Sequence, residues 1–171
     1  MREPNEMDPM GDTTGNTDWI DSLTLHVVVA DTWDTYLGAT ATPMDAENFP
    51  SSVPDGGQIE ARIRISGNVV WEMTLLGSWN SAEEATRRML GTSCATAGPD
   101  APEAVLDAWG ELVNTLAGNV KASLRPGSYT LSMPQISPQR DSAAESPGAV
   151  EHSFEWDGHL AMIRVARITS A

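Results

Sequence analysis

Apolar and polar residues alternate along this chain with two periods, and the changes of period divide it into elements. From residue 18, Trp19, Ile20, Leu23, Val27, Ala30, Trp33 and Leu37 recur at mostly three- and four-residue steps. That spacing predicts a helix, with Asp18 as N-cap and Gly38 as stop. The Val27-Val28-Val29 run would equally suit a strand, but the flanking periodicity favours the helix. A short extended piece over 39–43 leads to a loop, 44–57, rich in Pro, Ser, Asp and Gly. Ile59, Ala61, Ile63 and Ile65 then alternate strictly, which predicts a strand over 58–66. Gly67-Asn68 reads as a turn, and 69–76 as the partner strand of a hairpin. Ser81 with Glu84 three residues on reads as a capping box opening a helix that Gly91 ends. A linker, 92–100, precedes a longer helix with Pro102 at its entrance, closing near Arg125-Pro126-Gly127. The remainder predicts a strand over 128–136, a Ser-, Pro- and Ala-rich loop over 137–148, and strands over 150–156 and 159–168. Asp157-Gly158 joins those two as a type I′ turn. No internal repeat is visible. The expected fold class is α+β: a mainly antiparallel sheet with helices packed on it.

The longer helix has two faces of different character. At about 100° per residue, Val105, Leu106, Trp109, Leu112, Val113, Leu116, Val120 and Leu124 gather into one apolar stripe. Asp107, Glu111, Asn114, Gly118 and Lys121 follow one another at +4, +3, +4 and +3 and form a narrow line on the opposite side. Its flanks are small: Ala104, Thr115 and Ala122 on one side, Gly110 and Ala117 on the other. Most polar lines on amphipathic helices are plain solvated surface, and that reading stands for this one. Two interior glycines weigh against it, since each costs about 1 kcal/mol relative to alanine. Gly118, inside the line, would let another backbone approach. Gly110 could equally be a packing gap against the sheet.

Composition narrows the function classes. The chain has 171 residues, enough for one domain with a proper core, and residues 1–17 are polar enough to predict a disordered acidic tail before a single domain over 18–171. Ten basic residues against 24 acidic ones leave a net charge of −14, which disfavours nucleic acid and anionic membrane surfaces as partners. No apolar run is long enough to span a bilayer, and the first residues lack the pattern of a secretory signal. A lone cysteine, Cys94, excludes an intrachain disulfide and fits a reducing compartment, so the expected localisation is cytoplasmic.

Several chemistries find no support. His26, His152 and His159 sit in different elements without ligand spacing, and neither Cys-x-x-Cys nor His-Glu-x-x-His occurs, which argues against a metal of the protein's own. His26 reads as a packing residue, and His152 and His159 as a possible facing pair across their hairpin. There is no Gly-rich phosphate loop and no Gly-x-Ser-x-Gly elbow.

The run Asp107-x3-Glu111-x2-Asn114, continued by Ala117-Gly118-x-x-Lys121, resembles the helix of the CheC/CheX/FliY chemotaxis phosphatases, with an element order most like CheX. In that family the motif continues to a proline on a following strand; Tyr129-Thr-Leu-Ser-Met-Pro134 matches it, although Pro134 also reads as an edge or strand-end proline. The resemblance implies a CheX-like fold, often a homodimer joined through its sheets. It implies a phosphatase acting on a phosphorylated CheY-like response regulator, with Glu111 and Asn114 as the catalytic pair. Asn114 would orient the attacking water and Glu111 would pair with the receiver's lysine. Asp107, Gly118, Lys121 and Pro134 would contact the receiver; for Lys121 a surface or helix-end charge role is an equal alternative. It implies no cofactor beyond the Mg²⁺ that the receiver itself supplies. A non-catalytic receiver-binding or flagellar-switch-type adaptor is the alternative function for the same helix.

Overall fold

The computed structural model describes residues 20–50, 57–91, 101–124, 127–138 and 148–168. The expected tail, Asp18, Trp19, the 92–100 linker with Cys94, Arg125-Pro126 and most of the 137–148 loop lie outside the described residues. The elements run α1 (Ser22–Leu37), β1 (Thr42–Met44), β2 (Gln58–Ser66), β3 (Val70–Ser78), α2 (Trp79–Leu90), α3 (Ala101–Ser123), β4 (Thr130–Leu131), β5 (Gln135–Ser137), β6 (Val150–Trp156) and β7 (His159–Ile168), with a short 3₁₀ turn at Ala46–Asn48.

The strands form one antiparallel sheet in the order β1-β6-β7-β3-β2-β4, with β5 beside β4 on the same edge of β2. Period-two alternation sets its two faces. Ile59, Ala61, Ile63 and Ile65 of β2 join Trp71, Met73 and Leu75 of β3, Ala161, Ile163 and Val165 of β7, and Phe154 and Trp156 of β6 in a single buried core under the helices. The other face is laced by ion pairs. Arg64 sits directly opposite Glu72 at 3.3 Å, and Arg164 opposite Glu151 at 2.5 Å, as the antiparallel register places them; Arg62 pairs with Glu60 on its own strand. The β6–β7 turn has positive φ at both Asp157 and Gly158, as the type I′ expectation requires.

Three expectations need correction. Helix α1 begins later than expected: Asp21 is the N-cap, its carboxylate accepting from the Thr24 N–H at 2.7 Å, a bond that also lowers its pKa. The buried face of α1 is Leu25, Val28, Val29, Thr32, Trp33 and Leu37, while Leu23 and Val27 of the expected stripe are exposed. Apolar residues wrap more than one side of this helix, so its rotation is decided by the partner: Trp33 packs edge-on against Phe154, 4.8 Å between centroids, and against Trp156 at 6.2 Å. The stop at Gly38 is as expected, with its N–H donating to Asp34 O in the left-handed conformation.

Helix α2 is capped by Ser78, not Ser81: the Ser78 hydroxyl accepts from Ser81 N–H at 3.0 Å, because β3 runs straight into the helix. Glu84 serves Arg87 and Arg88 instead of a capping box. Arg88 reaches further, donating to Leu37 O at 3.1 Å and to Asp157 at 2.6 Å while lying over the Trp156 ring. One guanidinium thus ties the ends of α1, α2 and the β6–β7 turn together.

The expected strand over 128–136 is broken in two. Leu131 stands opposite Ile65 and Gln135 opposite Arg62, so two residues of β2, Ile63 and Arg64, face three, Ser132, Met133 and Pro134. This is a bulge with one extra residue on the sheet edge. Ser132 N–H donates to Arg64 O, and the Ser132 hydroxyl accepts from Arg64 N–H, each at 3.0 Å. Pro134, which has no N–H to give, occupies the bulge where none is needed.

Helix α3 is seated on the sheet through Trp109. A β-carbon at Gly77 would lie 2.8 Å from Trp109 Cζ2 and 2.9 Å from Cη2, so the indole rests directly on the bare backbone of β3. Gly77→Ala should therefore force the ring off its seat and cost about 1–3 kcal/mol. Urea unfolding reads that loss, and a midpoint equal to wild type would contradict the seating.

Candidate functional site

The register of α3 against the core follows from its apolar stripe. Val105, Trp109, Leu112, Val113, Leu116, Val120 and Leu124 are buried as expected, and Leu106 is packed against them at the margin. The opposite line is therefore turned to solvent. Asp107 and Glu111 are exposed, and Asn114, Gly118 and Lys121 are half-buried. Glu111 and Asn114 stand one turn apart, about 5–6 Å between β-carbons for an i, i+3 pair. Among the described residues, neither side chain has a hydrogen-bond or ion-pair partner. A carboxylate and an amide are presented with their polar atoms unspent.

The two interior glycines have different settings. A β-carbon at Gly110 would meet Ile136 Cδ1 at 3.0 Å and Pro134 Cβ at 3.7 Å, so Gly110 is a packing gap against the edge strand. At Gly118 nothing lies within 4 Å of such a carbon. A side chain there would therefore meet open space, and packing against the described residues does not explain the glycine. Pro134 is thereby placed beside α3 at the level of Gly110 and Glu111, although it is twenty residues from Asn114 in sequence. Pro134 and Ile136 thus flank α3 at Gly110. The bulge itself was not expected from the sequence: the Ser132 hydroxyl holds it, and Met133 within it is 84 % exposed. The sign available in the sequence was the odd spacing from Leu131 to Ile136, two apolar residues that cannot share a face of an uninterrupted strand.

A recess of about 110 Å³ lies by the bulge, lined by Arg62, Ile63, Arg64, Glu72, Ser132 and Gln135. Pockets for small molecules usually hold about 300–1,000 Å³, and both arginines there already have carboxylate partners, Glu60 and Glu72. That recess is therefore too small for an ordinary small-molecule ligand. Among the described residues there is no group of three or more His, Cys, Asp or Glu able to hold a metal ion, and no described helix is long and apolar enough to cross a membrane.

The comparisons with known proteins bear on the family and the fold. The family model described as chemotaxis phosphatase CheX matches residues 59–154, more than half of the chain. The chain belongs to the CheX family. Solved structures share the fold. A CheX from Desulfovibrio desulfuricans is 16 % identical with a TM-score of 0.67, the match covering 86 % of this chain and 98 % of that one. The CheX–CheY–BeF3–Mg²⁺ complex from Borrelia burgdorferi matches at 14 % identity and 0.66, covering 88 % and 100 %. Thermotoga maritima FliY matches at 18 % and 0.53, covering 84 % of each. No curated protein sequence is significantly similar to the chain. At these identities the solved structures speak for the α+β fold of this CheX-family chain and leave its individual residues to be argued from their own geometry.

The histidines are arranged otherwise than expected. His152 lies opposite Ile163 in the β6–β7 register and His159 opposite Trp156, so the two do not face each other. His152 instead meets His26 of α1 edge-on, 5.4 Å between ring centroids, and stacks on Phe154 at 5.8 Å. His26 Nδ1 and His152 Nε2 are buried with no hydrogen-bond partner. Burial, and then the neighbouring His26, push the His152 pKa down. The folded state thus binds fewer protons than the unfolded one once pH falls below the unfolded value of about 6.5. The stability this group leaves intact at neutral pH is lost progressively as pH drops through that region. The thermal midpoint should fall between pH 7.5 and 5.5, and His152→Phe should flatten part of that fall; identical pH slopes in the two proteins would refute the assignment.

Proposed function

We propose that this CheX-family protein accelerates hydrolysis of the aspartyl phosphate on a CheY-like receiver domain, with α3 as the inserted element. The observation that carries the reading is the unpartnered Glu111–Asn114 pair on the solvent side of a helix whose rotation is locked by its buried face. The Borrelia neighbour in complex with CheY, BeF3 and Mg²⁺ supports a partner of this class. Residues 18–171 are read as one domain, cytoplasmic like the receivers it would meet, and homodimeric by family resemblance.

An acyl phosphate on the receiver already has its electrophile and its Mg²⁺ in place, so this chain need supply neither nucleophile nor metal. What it can add is orientation. The Asn114 amide oxygen accepts a hydrogen bond from a water, and the amide nitrogen is free to donate to a phosphate oxygen. Held in line with the scissile P–O bond, the water forms the new bond to phosphorus while the aspartyl oxygen leaves as carboxylate. The water's proton passes to the phosphate or to solvent, and the products are inorganic phosphate and the free aspartate. Glu111 pairs with the receiver's active-site lysine and so sets the depth and register of insertion. The open backbone at Gly118 admits the receiver's loops, and Asp107, Lys121 and Pro134 meet its rim.

The decay of a phosphorylated CheY-type receiver, followed with and without the protein, tests this directly. Asn114→Ala should lose the acceleration, at least ten-fold or about 1.4 kcal/mol of barrier, with the urea midpoint not lowered, because no hydrogen bond to the described residues is lost and alanine is the better helix former. Acceleration that survives the substitution would remove Asn114 from the mechanism. Binding by the wild-type protein without acceleration would point to the adaptor role.

A further inference from the structure

Gly110 lies inside α3, where glycine is a poor helix former, and directly precedes Glu111. A β-carbon there would stand 3.0 Å from Ile136 Cδ1, 3.5 Å from its Cγ1 and 3.7 Å from Pro134 Cβ. Ordinary carbon–carbon contact begins at about 3.5 Å, so a side chain at 110 needs about 0.5 Å that the edge strand does not leave free. Ile136 has little freedom to give it. Its backbone is paired opposite Ala61 of β2, and branching at its β-carbon restricts χ1. It is the apolar residue of a strand whose other members are Gln135 and Ser137, and it packs on the margin of the core. The residue before Gly110 is held as firmly. The Trp109 indole fills the space over Gly77, with Cζ2 only 2.8 Å from where a β-carbon would be. Consecutive residues of α3 are thus fixed from beneath by β3 and from the side by β5.

We propose that Ile136 is a positioning residue for the dephosphorylation: through its contact with Gly110 it sets the roll of α3 and so the place of the Asn114 amide. The inference rests on the phosphatase reading above. A helix works here as a lever. Its Cα atoms lie about 2.3 Å from the axis, whereas side-chain atoms at the rim lie about 5–6 Å out. A shift of about 0.5 Å near the backbone, taken up as roll, therefore grows to about 1 Å at the rim. Misplacement by about 1 Å at a reacting centre can cost about 100-fold in rate. Glu111 and Asn114 do not feel this equally. The glutamate has one more rotatable bond and can turn to keep an ion pair with the receiver's lysine. The amide of Asn114 has to hold a water in line with the P–O bond, which a displaced backbone prevents. A change in roll therefore falls on the limiting rate and spares the affinity. Ile136 acts on the chemistry only through α3.

The test compares Gly110→Ala, Ile136→Val and the double variant, each as the full chain. The decay of a phosphorylated CheY-type receiver is followed at rising concentrations of each protein. Gly110→Ala should lower the limiting rate about ten-fold, while the half-saturating concentration stays within about two-fold of wild type. Ile136→Val takes away Cδ1, the atom nearest the added carbon, so the double variant should recover to within about three-fold of wild type. The urea midpoint of Gly110→Ala should stay close to that of wild type, because alanine is the better helix former. A midpoint that falls along with the rate would make the contact merely structural and overturn the proposal. A limiting rate unchanged in Gly110→Ala, with Asn114→Ala inactive, would show that Ile136 yields; the positioning role would fall and the phosphatase reading would stand. A loss that Ile136→Val fails to relieve would likewise remove Ile136 from the role. Failure of the wild-type protein to accelerate the decay would overturn both readings.

Discussion

The contact of the Trp109 indole with the bare backbone of Gly77 is the constraint on which the functional face depends. A helix lying on a sheet can roll about its own axis unless something large and stiff engages the surface below. Here a rigid bicyclic ring fills the space that a β-carbon would occupy, and the next residue, Gly110, lets Ile136 close in from the side. Two successive residues of α3 are thus gripped from two directions. With the roll angle set, the line opposite Trp109 has nowhere to point but into solvent, and Glu111 and Asn114 are delivered side by side. Orientation of a water tolerates little error, so the rigidity of a helix seated this way is a physical precondition for the proposed chemistry.

The sheet edge complements the helix. An edge strand ordinarily offers unpaired backbone groups to any neighbour. In this protein the edge beside α3 is shortened to β4 and β5 and interrupted by a bulge carrying a proline, which discourages continuation of the ladder there. The same interruption moves Met133 outward and Pro134 inward. One structural device therefore both blunts the edge and shapes the ground next to the polar line.

The rest of the fold holds this arrangement with few specialised parts. Asn119, from a flank of α3, donates to Thr32 of α1 at 3.2 Å, while Arg88 of α2 clasps the end of α1 and the β6–β7 turn. The outer face of the sheet is stitched by cross-strand ion pairs of little individual worth at an exposed surface. They keep that face polar.

Much of this was legible in the sequence, and the exceptions share a cause. Helix α3, with a single apolar stripe and a single polar line, fixes its own inside and outside through period alone, so the buried set and the presentation of Glu111 and Asn114 followed from residue order. The alternation of β2 and the positive-φ preference of Asp157-Gly158 are equally local, and so was the α+β class they imply together. Where apolar residues wrap more than one face, as in α1, local period offers two rotations, and the edge-on packing of Trp33 on Phe154 and Trp156 chose between them. The bulge at 132–134 and the His26–His152 contact arise from registers between segments distant in the chain. Only the tertiary structure could place Pro134 beside Gly110 of α3, because that neighbourhood is set by which backbone groups of β2 find partners, a pairing that no run of residues encodes by itself.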